Sequence, residues 1–319
     1  MFAHEVLASA GSDAGPIATL WWVFLAISIV VYVIVIAALW FAVRRARTRR
    51  DFSSGAMAVT DARSGRIVAA AMAVTVLTLT GMLITELVLG RGVLDERLPA
   101  GDAVRIQLTA QQFWWQADYQ DASPQARFTT ANELVVPVGR PIELRLRSQD
   151  VIHSFWVPAL AGKKDLIPGI DNTLRFSVRD AGNYEGQCAE FCGYQHANMR
   201  IIVTAVEPDE YQDWTARQRA VAAAPGTEQL QRGQWVFERS SCALCHRVRG
   251  TGAQGAVGPD LTHFGSRRRI AASALRNTPA ALSAWITNPQ GLKPGARMPA
   301  TVLPAEDLRA LVAWLGSLQ

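Results

Sequence analysis

Two long apolar stretches near the N-terminus constrain the fold of this chain most. Residues 17–43 contain no charged side chain, and residues 67–90 contain one, Glu86. A helix needs about 20 apolar residues to cross the hydrocarbon core of a bilayer. The hydrophobic part of a signal peptide is shorter, about 7–15 residues, and follows basic residues, which are absent here. We therefore predict a transmembrane helical hairpin, with residues 1–99 forming an N-terminal tail and these two helices.

The segment between the two stretches is strongly basic. Its seven arginines face only two aspartates, and they are Arg44, Arg45, Arg47, Arg49, Arg50, Arg63 and Arg66. Positive charge is retained on the cytoplasmic side of a membrane. We expect a multi-pass protein of a bacterial inner membrane, with this loop in the cytoplasm and both termini on the outer, periplasmic side. Disulfides are tolerated there, so location alone does not decide what the cysteines do.

Residues 100–210 have the pattern of an all-β domain. Apolar and polar residues alternate with a period of two in "VRIQLTA", "ELVVPV", "PIELRLRS", "TLRFSV" and "NMRIIVTAV", which are separated by Gly, Pro, Asn and Asp. Short alternating segments between turn residues are typical of strands. Because no long amphipathic helix interrupts them, we predict a sandwich or barrel.

Sulfur and imidazole ligands are concentrated in this domain. The stretch "CAEFCGYQHANM" contains Cys188, Cys192, His196 and Met199, and His153 lies upstream. Imidazole, thiolate and thioether together select copper over hard cations. A disulfide between the two cysteines would leave the other three residues unexplained, and zinc rarely binds methionine. Since there is one thiolate more than a mononuclear copper site uses, the two thiolates can bridge two metals.

The spacing Cys-x₃-Cys-x₃-His-x₂-Met, with a histidine upstream, resembles the binuclear copper A centre of cytochrome c oxidase subunit II. The resemblance covers residues 15–210 and implies a cupredoxin-like domain. It implies that Cys188 and Cys192 bridge two copper ions, that His153, His196 and Met199 cap them, and that the backbone carbonyl of Glu190 also binds copper. The Glu190 side chain is further expected to hold a magnesium ion at the junction with subunit I, near "KKDLIPGIDN".

The stretch "QQFWWQADY" resembles the aromatic patch at which electrons reach this family's copper. The expected residues are Phe113, Trp114, Trp115 and Tyr119, with Phe113 standing where the family has tryptophan. The alternative is an aromatic cluster of the domain core. The second apolar stretch lacks the family's acid near its cytoplasmic end, so we do not assign Glu86 to proton uptake.

The C-terminal part changes to a helical pattern after a linker at 211–227. Residues 228–319 contain "CALCH", in which Cys-x-x-Cys-His is typical of covalent haem c attachment. The rival, a thioredoxin-like redox pair, requires a βαβ pattern that is absent here. We expect Cys242 and Cys245 to bind the porphyrin, and His246 and Met298 the iron. Met298 is the only methionine after the motif, and His263 is too close to it to reach across the haem.

These residues resemble an all-α class I cytochrome c. The resemblance implies that the Pro259 carbonyl steadies His246, and we expect Trp314 in the core beside the haem. Residues 100–213 carry 15 acids and 10 bases, whereas residues 228–319 carry 5 acids and 11 bases. Opposite charges orient docking partners, so the two domains are expected to attract each other. The basic run Arg267 to Arg269 is either part of that face or a solvated turn.

The two resemblances together imply the subunit through which electrons enter a haem–copper terminal oxidase. The expected partners are oxidase subunits I and III, an external electron donor such as cytochrome c, and membrane lipid, with no nucleic acid. Oxygen would be reduced in subunit I, with proton translocation, because the five histidines of this chain are too few to form the oxygen-reducing site as well. Alternatives are the copper A subunit of a nitric oxide reductase and a free membrane-anchored electron carrier. A nitrous oxide reductase needs a histidine-rich cluster, and a quinol oxidase subunit lacks these copper ligands.

Overall fold

The computed structural model describes residues 9–48, 61–94, 103–120 and 123–319. They form two compact units, one of residues 15–96 and one of residues 97–319 together with the residues up to 14. Much of the arginine-rich loop, including Arg49 and Arg50, lies outside the described residues. The predicted domain boundary at residue 99 also lies outside them.

Both apolar stretches form single helices, α1 (Ala14–Thr48) and α2 (Asp61–Leu94). Within them, Ala14–Arg47 and Gly65–Gly90 are long and apolar enough to cross a membrane, with mean hydropathies of 2.9 and 2.3. No residue of the most apolar 18-residue window of either span is buried. An uncovered apolar helix satisfies its own backbone hydrogen bonds, as a lipid environment requires. Each helix is longer than the predicted 17–43 and 67–90.

The β-domain consists of two five-stranded sheets among the described residues. The strands are β1 (Val104–Gln111), β2 (Trp114–Gln120), β3 (Phe128–Ala131), β4 (Glu133–Pro137), β5 (Pro141–Ser148), β6 (His153–Trp156), β7 (Lys164–Leu166), β8 (Asn172–Ser177), β9 (Gly182–Cys188) and β10 (Arg200–Val206). Their order is β3-β2-β1-β5-β8 in one sheet and β4-β10-β9-β6-β7 in the other. The pairs β1–β5 and β4–β10 are parallel. This cupredoxin-like sandwich confirms the predicted all-β domain.

The alternation read from the sequence places the core between the sheets. Along β5, Leu144 and Leu146 are fully buried, while Arg145 and Arg147 are exposed. Glu143 shares the face of these arginines but is buried, because Arg175 on β8 covers it with an ion pair of 2.9 Å. A strand with one apolar face buries that face against the other sheet.

Helix α3 (Pro208–Arg219) follows the last strand and packs on the sandwich. Its Trp214 lies 5.3 Å from both Tyr119 and Phe128, measured between ring centroids. The first half of the predicted linker 211–227 is therefore helical and packed, and extended chain follows from Ala220.

The C-terminal domain is helical, as predicted. Its elements are α4 (Glu228–Arg239), α5 (Cys242–Cys245), α6 (Pro279–Thr287), α7 (Pro289–Leu292) and α8 (Ala305–Ser317), with a hairpin of β11 (Arg269–Ile270) and β12 (Leu275–Arg276). Helix α4 begins where the Thr227 side chain accepts a hydrogen bond from the Leu230 amide, a usual N-cap. Extended backbone at Ser240 ends α4 before the cysteine pair.

Candidate metal and haem sites

Two neighbouring strands and one loop assemble the sulfur cluster. His153 begins β6 and Cys188 ends β9, and these strands pair antiparallel with Phe155 opposite Cys188. Cys192, His196 and Met199 lie on the loop from β9 to β10. The loop is closed at its base, where the Cys188 amide donates to the Met199 carbonyl at 3.0 Å. Sheet pairing thus fixes two of the predicted ligands, and loop closure brings the other three to them.

The five predicted side chains converge within contact distance. Cys188 Sγ lies 3.8 Å from Cys192 Sγ and 3.8 Å from His153 Nδ1. Cys192 Sγ in turn lies 3.8 Å from His196 Nδ1 and 3.9 Å from Met199 Sδ. Both cysteines are free and buried, so the alternative of a disulfide does not describe this arrangement.

The backbone carbonyl of Glu190 belongs to the same cluster. Its oxygen lies 3.2 Å from Cys188 Sγ. The Glu190 carboxylate points elsewhere and forms an ion pair of 3.8 Å with Lys163, from the "KKDLIPGIDN" segment. The residue therefore presents its carbonyl to the sulfur cluster and its partly exposed carboxylate to the segment predicted to face subunit I.

The electrostatics of the cluster favour a thiolate. Contact with Cys192 lowers the pKa of Cys188 to about 3, against the opposing effect of burial, and His153 adds to the lowering. The same contact raises the pKa of Cys192, so the proton stays on that thiol. Burial lowers the pKa of His153, but its hydrogen bonds to Cys188 and Asp150 outweigh burial and raise it. Thiolates are the metal-binding form of cysteine.

Asp150, which the sequence reading did not select, orients His153. Its Oδ1 lies 2.8 Å from His153 Nε2. Because Nδ1 faces the Cys188 sulfur, Nε2 carries the proton and donates it to the carboxylate. Asp150 Oδ2 accepts from the Gln112 amide at 2.7 Å, and Gln112 Nε2 donates to the Cys192 carbonyl at 2.7 Å. The sequence contained a signal for this role, because Asp150 lies three residues before the predicted ligand His153 and carboxylates commonly orient histidine ligands of metals.

The cluster fits a metal site in both its donors and its spacing. Donor atoms that share one metal, with bonds of about 2.0–2.3 Å, lie about 3.3–3.8 Å apart. The separations of the sulfur and nitrogen atoms, 3.8–3.9 Å, are at or just above the upper end of that range. Two thiolates, two imidazoles and a thioether are the soft donor set that copper prefers.

The haem-attachment motif lines a cavity in the C-terminal domain. Cys242, Cys245 and His246 contribute to its wall, together with Met298 and apolar side chains. His246 Nδ1 lies 2.8 Å from the Pro259 carbonyl. Burial lowers the pKa of His246 despite that hydrogen bond, so the ring is neutral and its Nε2 is left to bind iron. These donors fit a c-type haem.

The chain passes tightly over the imidazole at Gly258. A Cβ at this position would lie 2.6 Å from the His246 ring, so only glycine fits. His263 is placed away from this cavity. It is buried with Nδ1 at 2.7 Å from the Gln319 carbonyl and Nε2 at 3.1 Å from the Ala220 carbonyl. Trp314 lies in the domain core, where its ring packs 5.1 Å from Phe237.

The four predicted aromatic residues separate into two pairs. Trp115 and Tyr119 are buried in the sandwich core. Phe113, at the turn between β1 and β2, is also buried, and together with Trp114, which begins β2, it lines the haem cavity. The copper domain therefore supplies part of the wall of the haem cavity.

The basic run and other charges of the C-terminal domain meet the β-domain directly. The Glu133 carboxylate accepts from the backbone amides of Arg268 and Arg269, both at 3.1 Å. Arg297 lies 3.4 Å from Asp150. Removal of Arg267 from water at this contact lowers its pKa, against the attraction of Glu133.

Fold and site geometry together define a class of protein: a membrane-anchored chain that joins a cupredoxin-type metal site to a c-type haem site. Residues 118–206 match the family model "Cytochrome C oxidase subunit II, periplasmic domain", and residues 230–319 match the family model "Cytochrome c".

The curated relatives point the same way. A cytochrome c oxidase subunit 2 of Alkalihalophilus pseudofirmus is 43% identical over 219 residues, covering 68% of this chain and 62% of the relative. That of Bacillus subtilis is 31% identical over 235 residues, covering 69% of this chain and 64% of the relative. The chain thus spans less than two thirds of the length of either relative. A crystal structure of the periplasmic domain of cytochrome oxidase subunit II from Bradyrhizobium japonicum is 32% identical, covers 38% of this chain and 96% of that one, and has a TM-score of 0.36.

This chain belongs to the cytochrome c oxidase subunit II family, in a form that also carries a cytochrome c domain. Membership of this family fits a protein of the inner membrane whose cupredoxin-like and cytochrome c domains are periplasmic.

Proposed function

We propose that this chain is the subunit through which electrons enter a haem–copper terminal oxidase. The single observation that carries the proposal is the shared wall: Phe113 and Trp114 of the copper domain line the cavity that holds the haem-attachment motif. When bound, the haem supplies one electron and the copper centre accepts it, with no bond made or broken. The chain's own contribution is to hold both groups, exclude water between them and fix their separation.

The copper site is proposed to hold two ions. Cys188 and Cys192 would be shared by both ions, and His153, His196, Met199 and the Glu190 carbonyl would supply the remaining ligands. The support is that each sulfur has its own imidazole at 3.8 Å, which suits one histidine for each metal. The Glu190 carboxylate is directed away from the sulfurs and lies 3.8 Å from Lys163; it would help to hold magnesium at the boundary with subunit I.

The haem is proposed to be covalently attached through Cys242 and Cys245. His246, steadied by the Pro259 carbonyl at 2.8 Å, and Met298 would supply the ligands to the iron. A methionine ligand raises the potential of a haem iron relative to histidine ligation. That favours acceptance of electrons from a soluble donor.

The assembly is proposed to include oxidase subunits I and III and an external donor. The helices α1 and α2 anchor the chain in the membrane, with the arginine-rich loop in the cytoplasm. Electrons pass from the copper site to subunit I, where oxygen is reduced to water with proton translocation.

Metal analysis and turnover of the complex purified from membranes test this proposal. We expect two coppers and one c-type haem for each copy of this chain, beside the metals of subunit I, and consumption of oxygen driven by a reduced donor. In a Cys188→Ser variant the haem should still be reduced, while oxygen consumption stops because the copper site is lost. Turnover of nitric oxide without oxygen would identify a nitric oxide reductase instead. Isolation without any haem-bearing partner after mild detergent extraction would identify a free carrier.

A further inference from the structure

One buried lysine connects the two redox domains. Lys293 follows helix α7 and is 3% exposed. Its Nζ donates to three backbone carbonyls, those of Phe113, Asn198 and Ala271, each at 2.9 Å. An ammonium has three N–H donors, so every donor of Lys293 is used. Two of the acceptors belong to the copper domain, and the third belongs to the haem domain.

The two acceptors in the copper domain lie at functional positions. Asn198 is in the short 3-10 helix His196–Asn198, between the proposed copper ligands His196 and Met199. Phe113 is at the turn that lines the haem cavity. Lys293 therefore joins the haem domain to the copper-ligand loop and to the intervening aromatic residue at a single point.

The Phe113 ring fills the space between the two domains. A Cβ at Gly193, on the copper-ligand loop, would lie 3.3 Å from this ring. One at Gly295, two residues after Lys293, would lie 3.7 Å from it. The ring thus packs against the copper domain on one side and the haem domain on the other, and the carbonyl of the same residue is held by Lys293.

The cost of burying this amine indicates that it has a specific role. Burial lowers the pKa of Lys293 to about 7, although three carbonyl acceptors favour its charged form. An apolar side chain would fill the same space without that cost, but apolar contacts are not directional and can slide. Three hydrogen bonds in fixed directions select one orientation of the domains, as buried polar groups do in some other proteins.

We propose that Lys293 is a positioning residue that fixes the haem domain on the copper-ligand loop, so that electrons pass between the two sites in one preformed arrangement. The inference rests on the proposed function, because it assumes that haem and copper occupy the sites described above. It differs from a tethered encounter, in which the haem domain would swing on its linker and dock anew for each electron.

The test compares the full complex of the unmodified protein with a Lys293→Met variant. Methionine has a similar length but donates no hydrogen bond, so three buried carbonyls lose their partner. The matched control is Arg309→Met, which neutralises an exposed cation of the same domain. The haem is reduced by a light pulse, and the absorbances of haem and copper follow the electron in solutions of increasing glycerol and salt.

For the unmodified protein and the control we expect one transfer rate that changes with neither viscosity nor ionic strength. For Lys293→Met we expect a rate at least tenfold lower, which falls further as viscosity rises. The static absorption spectra of the haem and of the copper site should be unchanged in Lys293→Met. A general loss of structure would change both spectra.

Two results would overturn the inference. One is a Lys293→Met variant that transfers electrons at the unmodified rate and without viscosity dependence. The other is viscosity dependence in the unmodified protein, and that measurement decides even if the variant fails to fold. If the reduced haem of the unmodified complex never reduces the copper, then the proposed function fails, and this outcome is distinct from both.

Discussion

The hydrogen bond from His153 to Asp150 gives a quantitative test of the copper assignment. Asp150 accepts on both oxygens, from His153 Nε2 at 2.8 Å on Oδ1 and from the Gln112 amide at 2.7 Å on Oδ2. In an Asp150→Asn variant only one of those atoms remains an acceptor, and the other becomes an NH₂ donor. The Val151 amide also donates to Oδ1, at 2.8 Å, so every partner is a donor and one side must lose its contact. Whichever way the new amide turns, His153 Nε2 no longer donates to a carboxylate.

The magnitude follows from the kind of bond removed. A hydrogen bond to a charged group contributes about 1.5–3 kcal/mol. At about 1.4 kcal/mol for each factor of ten, its loss weakens copper binding roughly 10- to 100-fold. Removal of a group that orients a metal ligand typically has the same effect, about 10- to 100-fold in affinity. We therefore expect Asp150→Asn to retain copper with an affinity lowered by one to two decades.

Competition with a copper chelator measures this affinity, with the haem spectrum as a check on folding. Asp171→Asn is the matched control, because Asp171 pairs with Arg147 on the exposed face of the same domain, where ion pairs contribute little. Arg297→Gln serves as the second control, because it removes the contact between Asp150 and the haem domain but leaves His153 untouched. A copper affinity of Asp150→Asn within twofold of the unmodified protein would refute the reasoning.

Three further predictions concern the haem, its cavity and the acid stability of the β-domain. Met298→Ala should shift the optical spectrum of the haem and lower its potential, and an unchanged spectrum would exclude Met298 as a ligand. Gly258→Ala should abolish haem attachment, because its Cβ would lie 2.6 Å from the His246 ring. The control Gly316→Ala, whose Cβ would have no atom within 4 Å, should bind haem normally. Peroxidase staining of gels reports haem attachment. Burial raises the pKa of Glu143, but its ion pair with Arg175 outweighs burial and lowers it below the usual 4.5. The pair therefore stabilises the fold above about pH 4.5, and this stabilisation is lost as the pH falls through the lowered pKa; in urea unfolding, Glu143→Gln should lose more stability at pH 7 than at pH 3.

The side chains proposed to bind copper could be selected from the sequence because most of them are local. Four of the five fall within Cys188–Met199, at the end of β9 and on the loop that follows, so little of the remaining fold is needed to bring them together. The strand with alternating "IELRLR" was equally readable, since one face is apolar. Strand β9 was missed because "GNYEGQC" has almost no apolar residues. It forms through pairing with β10 and β6, which its own composition does not reveal.

The contact between the domains was not predictable in the same way. "GLKPGAR" has the composition of a solvated basic turn, and Lys293 finds its acceptor Phe113 180 residues away. Such a contact forms between the surfaces of two folded domains, and it produces no periodic pattern in the sequence of either segment.

The structure also changes what the domain charges mean. Residues 228–319 contain an excess of bases, but several of these bases lie against the copper domain. Lys293 is buried and Arg267 is partly buried, and Arg268 and Arg297, although exposed, make contacts with the copper domain. The attraction between oppositely charged faces is therefore already used inside the chain. It follows that the surface offered to the proposed external donor is less basic than the domain total suggests. We expect that donor to contact the exposed residues around the haem cavity, among them Leu244 and Val257.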